Sequence, residues 1–330
     1  MAPTTNGRVL FAAVPSGFPI PGETTVYDTS QTIDIDTTHL NGGFLVKTLV
    51  VSVDPYMRGR MRSPEKKMYG APFTLDAPID GYGVGVVQRS EHNDVAPGKY
   101  VSGILPHQEY SVLLNMQGLN FLQKHPNLPW TVYVGAAGVP GKTAYMAWRE
   151  FSRAKKGEVA FITTGAGSVG SRCNSMVIQL AKRDGLKVIA SAGSEEKREF
   201  MKELGADIAF NYKTTDTRDV LQREGPIDIY WDNVGGDVLD AALEHAAVYA
   251  RFLNLHNTFA KSLIINGILV HRLEAKYDAE FYATIPAALA EGDIKYREDV
   301  THGLETVGDA ILRVQQGRNT GKAVVIVAEE

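Results

Sequence analysis

Three glycines, Gly165, Gly167 and Gly170, stand in the segment Thr164-Gly-Ala-Gly-Ser168-Val169-Gly170 with the spacing that holds a pyrophosphate. The first permits a tight turn, the second lets a phosphate approach the backbone, and the third lets a helix pack closely on the preceding strand. The free N–H groups and the positive end of a following helix dipole then face the anion. Such a turn works only between a strand and a helix. The apolar, β-branched residues 159–163 precede it, and residues 171–183 carry helical periodicity after it. A second strand at 187–193 completes the βαβ unit that the spacing requires.

The residues after that second strand bear on which dinucleotide is bound. An NAD site usually carries a carboxylate there for the ribose 2′-hydroxyl. This chain has Ala192-Gly193-Ser194, then Glu195-Glu196-Lys197. Gly193 gives room, Ser194 a hydroxyl and Lys197 a cation, which suits a 2′-phosphate and therefore NADP(H). The two glutamates fit this reading if they point outward from the first turn of a helix.

The elements around this unit fall into two patterns. From about residue 7 to 125, short strands such as 8–14, 43–53 and 81–87 alternate with Pro, Gly, Asn and Asp turns, as in an all-β, barrel-like module. From 126 to 299, strands and helices alternate: helix 195–204, strand 208–212, helix 217–224 and strand 227–232. This predicts an α/β fold with a doubly wound parallel sheet. Residues 322–327 read as a closing strand. One decoy is Ala136-Ala-Gly-Val-Pro-Gly-Lys142-Thr143 after the strand-like 130–134, close to a P-loop but with Ala136 where the first glycine belongs. Its plain reading is a helix start.

Composition narrows the class. With 34 Lys and Arg against 38 Asp and Glu, the net charge is −4, so no basic excess points to nucleic acid. No run reaches membrane-spanning length, and residues 1–22 lack the pattern of a signal peptide; a cytoplasmic protein is expected. Cys173 is the single cysteine, and the eight histidines show no ligand spacing, so no metal is expected.

Val53-Asp-Pro-Tyr56-Met-Arg-Gly59 resembles a signature of the zinc-free medium-chain reductases, specifically the prostaglandin reductase and alkenal double-bond reductase family. The resemblance runs along nearly the whole chain, through Gly138-x-x-Gly-x-Thr143-Ala-Tyr145, Ala192-Gly-Ser-x-Glu-Lys197, Asn211-Tyr212-Lys213, Asp232-Asn233-Val-Gly-Gly236 and Gly317-Arg-Asn319-Thr-Gly-Lys322. It implies a GroES-like β-barrel catalytic domain, residues 1–125 and 300–330, enclosing a Rossmann-type domain, residues 126–299. It implies NADPH, with Gly167, Ser168, Val169 and Gly170 at the pyrophosphate and Ser194, Lys197 and Tyr212 around the 2′-phosphate. Asn233 and Asn319 would line the cofactor groove. Ile268, Leu269 and Val270 would match the strand whose backbone holds the nicotinamide amide. Without the resemblance, Tyr212 reads equally as a strand-end tyrosine and Asn233 as a turn former.

The implied reaction reduces a carbon–carbon double bond conjugated to a carbonyl, with Tyr56 or the cofactor ribose hydroxyl stabilising the developing enolate; Tyr56 as a mere pocket wall is the alternative. A quinone reductase of the same superfamily and a non-catalytic NADPH-binding protein are the competing functions. A homodimer formed through the apolar stretch 262–270 is expected. Two departures stand out. Residues 171–175 add about one helical turn relative to the family. The stretch 251–257 is too short for the family's loop beside nicotinamide and substrate, so either a pocket wall is lacking or a segment is missing from the sequence.

Overall fold

The computed structural model describes residues 3–66, 70–163, 171–253, 264–266 and 268–330, with the backbone alone at 171–173, 264 and 265. The chain divides into two units, Met1–Val134 with Glu298–Glu330, and Gly135–Arg297.

The first unit is built on strands whose apolar residues are buried along most of their length. Its principal sheet has seven strands. Glu298–His302, Lys322–Ile326, Phe44–Ser52, Asp80–Ser90, Tyr100–Pro106 and Leu119–Leu122 follow one another, and Tyr110–Leu113 also pairs with Phe44–Ser52. All neighbours are antiparallel except the first two. The hairpin of Arg8–Phe11 and Thr25–Asp28 joins this sheet by bridges from Arg8 to Gln108 and from Leu10 to Pro78. Val9, Phe11, Val51, Val53, Met57 and Ile79 fill the core with Val307, Ile311 and Val314 of the helix Val307–Gln315. Each such side chain contributes about 1.5–3 kcal/mol by leaving water. The C-terminal segment is therefore an integral part of the β unit.

In the second unit, six parallel strands run in the order Ile208–Asn211, Lys187–Ala192, Val159–Ile162, Ile227–Trp231, Ala246–Leu253, Ile264–Asn266. Numbered along the chain this is 3-2-1-4-5-6, the doubly wound order, with its switch point between Val159–Ile162 and Ile227–Trp231. Phe210, Phe161 and Tyr230 stack through its core and Phe252 meets Tyr230 edge-on, with ring centroids 5.3 to 6.3 Å apart. Two of its helices start at capping side chains: Ser194 caps Glu195–Glu203, and Asp216 caps Thr217–Glu224.

Two local expectations are corrected. Residues 130–134 form the 3₁₀ helix Trp130–Val134, not a strand. Pro129 starts the turn by accepting from Val132 N, and Trp130 meets Tyr133 with centroids 6.0 Å apart, the i,i+3 contact that a 3₁₀ turn brings about. Ile268, Leu269 and Val270 lie beyond the edge strand Ile264–Asn266, and Val270 opens the 3₁₀ turn Val270–Arg272. The decoy residues 139–143 start the helix Val139–Ala147. There Lys142 is buried against Asp278 (2.8 Å) and Glu274 (3.4 Å), a structural ion cluster.

Candidate functional site

The nucleotide unit carries a polar knot at its switch point. Thr163 directly follows the strand Val159–Ile162, and Asn174 lies in the first turns of the helix Ser171–Arg183, fully buried. Asn174 Nδ2 donates to the Thr163 carbonyl (2.7 Å), while its Oδ1 accepts from Trp231 Nε1 (2.8 Å) and Asn233 Nδ2 (2.9 Å). Thr163 Oγ1 donates to the Trp231 carbonyl (3.1 Å) and accepts from Asn233 N (3.0 Å). One amide thus ties the helix Ser171–Arg183 to both central strands. Asp232 shapes the adjoining turn, its Oδ1 accepting from Tyr230 OH (3.0 Å), Val234 N (2.8 Å) and Gly235 N (2.9 Å). Gly235 and Gly236 follow with φ of 69° and 54°, which explains the paired glycines. Asn233 is therefore a turn residue held by its own side chain. Gly165, Gly167, Ser168, Val169 and Gly170 lie outside the described residues.

The end of the second strand is the next element. Gly193 lies where a Cβ would meet Tyr212 OH at 2.7 Å and Lys213 Cε at 3.3 Å, so the tips of both side chains close in on it. Ser194 is extended, and its Oγ accepts from Lys197 N at 3.4 Å. Desolvation pulls the half-buried Lys197 ammonium below its ordinary pKa; Glu196 opposes this and the nearby Lys213 adds to it. Glu195 pairs with Arg198 (2.8 Å) and Glu196 with Arg297 (3.2 Å), both on the exposed face. Gly193, Ser194, Lys197 and Tyr212 are thus brought together, with Lys213 as a second cation that sequence reasoning left without a role. Two crowded ammonium groups, a phenol and a glycine-wide gap fit a compact dianion.

In the β unit, Tyr56 opens the short helix Tyr56–Arg60. Its motif neighbours are all engaged inward. Met57 is buried in the core. Arg58 donates to the carbonyls of Gly17 (2.8 Å) and Pro15 (3.3 Å), and Arg60 grips Asp80 with two hydrogen bonds of 2.5 and 2.9 Å. Asp54 accepts from Ser52 Oγ and Lys322 Nζ, and Lys322 also donates to the Val53 carbonyl (2.9 Å). Gln315 Nε2 donates to the Pro55 carbonyl (3.2 Å). The Tyr56 ring crosses Tyr82 edge-on, with centroids 6.2 Å apart. Although 39% of Tyr56 remains exposed, dense packing around the phenol pushes its pKa far up, and Asp54, Tyr82 and Asp80 push the same way against Arg60. The hydroxyl therefore keeps its proton, as a hydrogen-bond donor must. Asn319 belongs to this unit and is buried; Nδ2 donates to the Gly321 carbonyl (2.6 Å), and Oδ1 has no partner among the described residues.

Among the described residues, no three His, Cys, Asp or Glu side chains are grouped to hold a metal. No helix there is long and apolar enough to cross a membrane.

Comparison with known proteins agrees with this architecture. Residues 9–121 match the family described as N-terminal domain of oxidoreductase, and residues 174–272 the family described as zinc-binding dehydrogenase, so matches to oxidoreductase families fall in both units. The chain is 36% identical to the 2-alkenal reductase (NADP(+)-dependent) of Nicotiana tabacum, covering 99% of this chain and 98% of that one. It is 35% identical to the NADP-dependent oxidoreductase RED1 of Cochliobolus heterostrophus, covering 98% of both. The crystal structure of CurA from Vibrio vulnificus in complex with NADPH superimposes with a TM-score of 0.83 at 30% identity, covering 98% of this chain and 100% of that one. The chain belongs to the alkenal double-bond reductase family of the zinc-free medium-chain reductases.

Proposed function

We propose that the protein is an NADPH-dependent reductase of the carbon–carbon double bond of α,β-unsaturated aldehydes and ketones. The observation that carries this reading is the Tyr56 phenol, exposed, kept protonated and braced on every side of its motif. NADPH, when bound, supplies the hydride that adds to the substrate's β-carbon. Negative charge then develops on the carbonyl oxygen as the enolate forms. Tyr56 donates its hydrogen bond to that oxygen, and because the phenol is fixed beforehand, no reorganisation is needed as the charge appears. The proton that completes the α-carbon comes from solvent or from a donor other than Tyr56, which stays neutral throughout.

Lys197, Lys213, Tyr212 and Ser194 hold the 2′-phosphate, and their two cations make the choice of NADPH over NADH. The Asn174 knot fixes the helix Ser171–Arg183, which follows the glycine motif read as the pyrophosphate site. No metal takes part, and a homodimer forms through the sheet edge at Ile264–Asn266, checked by its mass in light scattering.

The test is NADPH consumption in the presence of a chelator, with an alkenal, a quinone or no acceptor. Turnover with the alkenal alone supports the reading. Turnover confined to the quinone would assign a quinone reductase, and none with any acceptor would leave a nucleotide-binding protein.

A further inference from the structure

Asp54 and Lys322 are 268 residues apart in sequence and form an ion pair in the interior of the β unit, their side chains only 14% and 8% exposed. A buried pair is a weak device for stability, because both charges lose their hydration. Its position is more telling. Lys322 spans Asp54 and the Val53 carbonyl, and Ser52 holds the other carboxylate oxygen. Gln315 reaches the next residue, Pro55. Three successive residues before Tyr56 are thus clamped by side chains from the C-terminal segment. The clamp comes from two elements, the helix Val307–Gln315, which also shares a core with Met57, and the strand Lys322–Ile326.

We infer that Asp54 and Lys322 are positioning residues for Tyr56: the pair fixes the turn that aims the phenol. This rests on the reading of Tyr56 as the donor to the substrate carbonyl. A clamp that acts only through Tyr56 matters only while Tyr56 has its hydroxyl. The pair should therefore be coupled to that hydroxyl and indifferent to cofactor affinity.

The test is a double-mutant cycle of D54N and Y56F, read as kcat and as KM for NADPH. D54N is expected to lower kcat about 5- to 10-fold in the wild-type background and less than about 2-fold in the Y56F background, with KM for NADPH unchanged within about 2-fold. K322R, which keeps the charge, should retain most of the activity, whereas K322M should behave like D54N. If D54N alone leaves an uncompensated buried lysine and does not fold, D54N/K322M removes both charges and takes its place in the cycle. An equal loss of kcat in both backgrounds would make the pair merely structural and overturn the inference. So would an unchanged kcat in D54N. If Y56F itself leaves kcat unchanged, the role of Tyr56 fails first, and the inference falls with it by a distinguishable result.

Discussion

Replacing Lys197 by alanine isolates the discrimination between the two dinucleotides. The Lys197 ammonium is partly desolvated and crowded by Lys213, while Glu196, which favours its charged form, also pairs with Arg297 at 3.2 Å. A cation in that state gains more from a dianion than a solvated one does. A hydrogen bond to a charged group is worth about 1.5–3 kcal/mol. Lys213 and Tyr212 remain beside Gly193 and take up part of the load, so the loss belongs in the lower half of that range, about 10- to 30-fold in Kd for NADPH. NADH has no 2′-phosphate and should bind both proteins equally, within about 2-fold. The assay is fluorescence or calorimetric titration of wild type and K197A with each nucleotide at fixed salt. Equal losses for NADPH and NADH would show that Lys197 does not contact the phosphate. A large loss in K197A with none in Lys213→Ala would show that the two cations do not act together.

Other consequences follow from the same geometry. Tyr56→Phe keeps the ring and its contact with Tyr82 but removes the donor, so kcat should fall about 10- to 100-fold with little change in KM; an unchanged kcat in steady-state assays on one alkenal would make Tyr56 a wall. Asn174→Ala leaves Trp231 Nε1 buried and unpaired, and should cost about 1–3 kcal/mol in urea unfolding; a wild-type midpoint would dissolve the knot. His107 is fully buried, neither ring nitrogen has a partner among the described residues, and burial pulls its pKa down from 6.5 to about 4 against the opposing pull of Asp80 and Asp54. The unfolded chain therefore takes up a proton that the folded one refuses, so stability is full above pH 6.5 and falls by up to about 3 kcal/mol as pH drops to about 4. His107→Gln should flatten the pH dependence of the urea midpoint in that window, and an unchanged slope would clear His107.

How much of this was legible in the sequence depends on the range of the interaction. The helices Ser171–Arg183 and Thr217–Glu224 end where their periodicity places them, the second with Asp216 as its cap, because those signals are local. Gly193, Ser194 and Lys197 were readable from their own types and spacing and Tyr212 only through the resemblance, because nothing along the chain shows that two parallel strands end side by side, with Ala192 opposite Asn211. Trp130–Val134 misled because aromatic and β-branched residues favour strands in general, while Pro129 and the Trp130–Tyr133 contact decided the turn. Asp54 and Lys322 each sat inside a quoted motif, yet nothing along the chain announces that residues 268 apart will pair. Asn174 was hidden for another reason. It falls in the first turns of the helix Ser171–Arg183, where a polar residue looks solvent-facing until the strand ends close over it.

The most direct test of the central claim follows the hydride itself. Turnover of one α,β-unsaturated aldehyde with NADPH carrying deuterium at nicotinamide C4, on whichever face transfers, should give a saturated aldehyde with the label at its β-carbon and the carbonyl intact. Label on a carbinol carbon would mean reduction of the carbonyl, and would contradict the assignment of Tyr56 as an enolate-stabilising donor together with the function built on it.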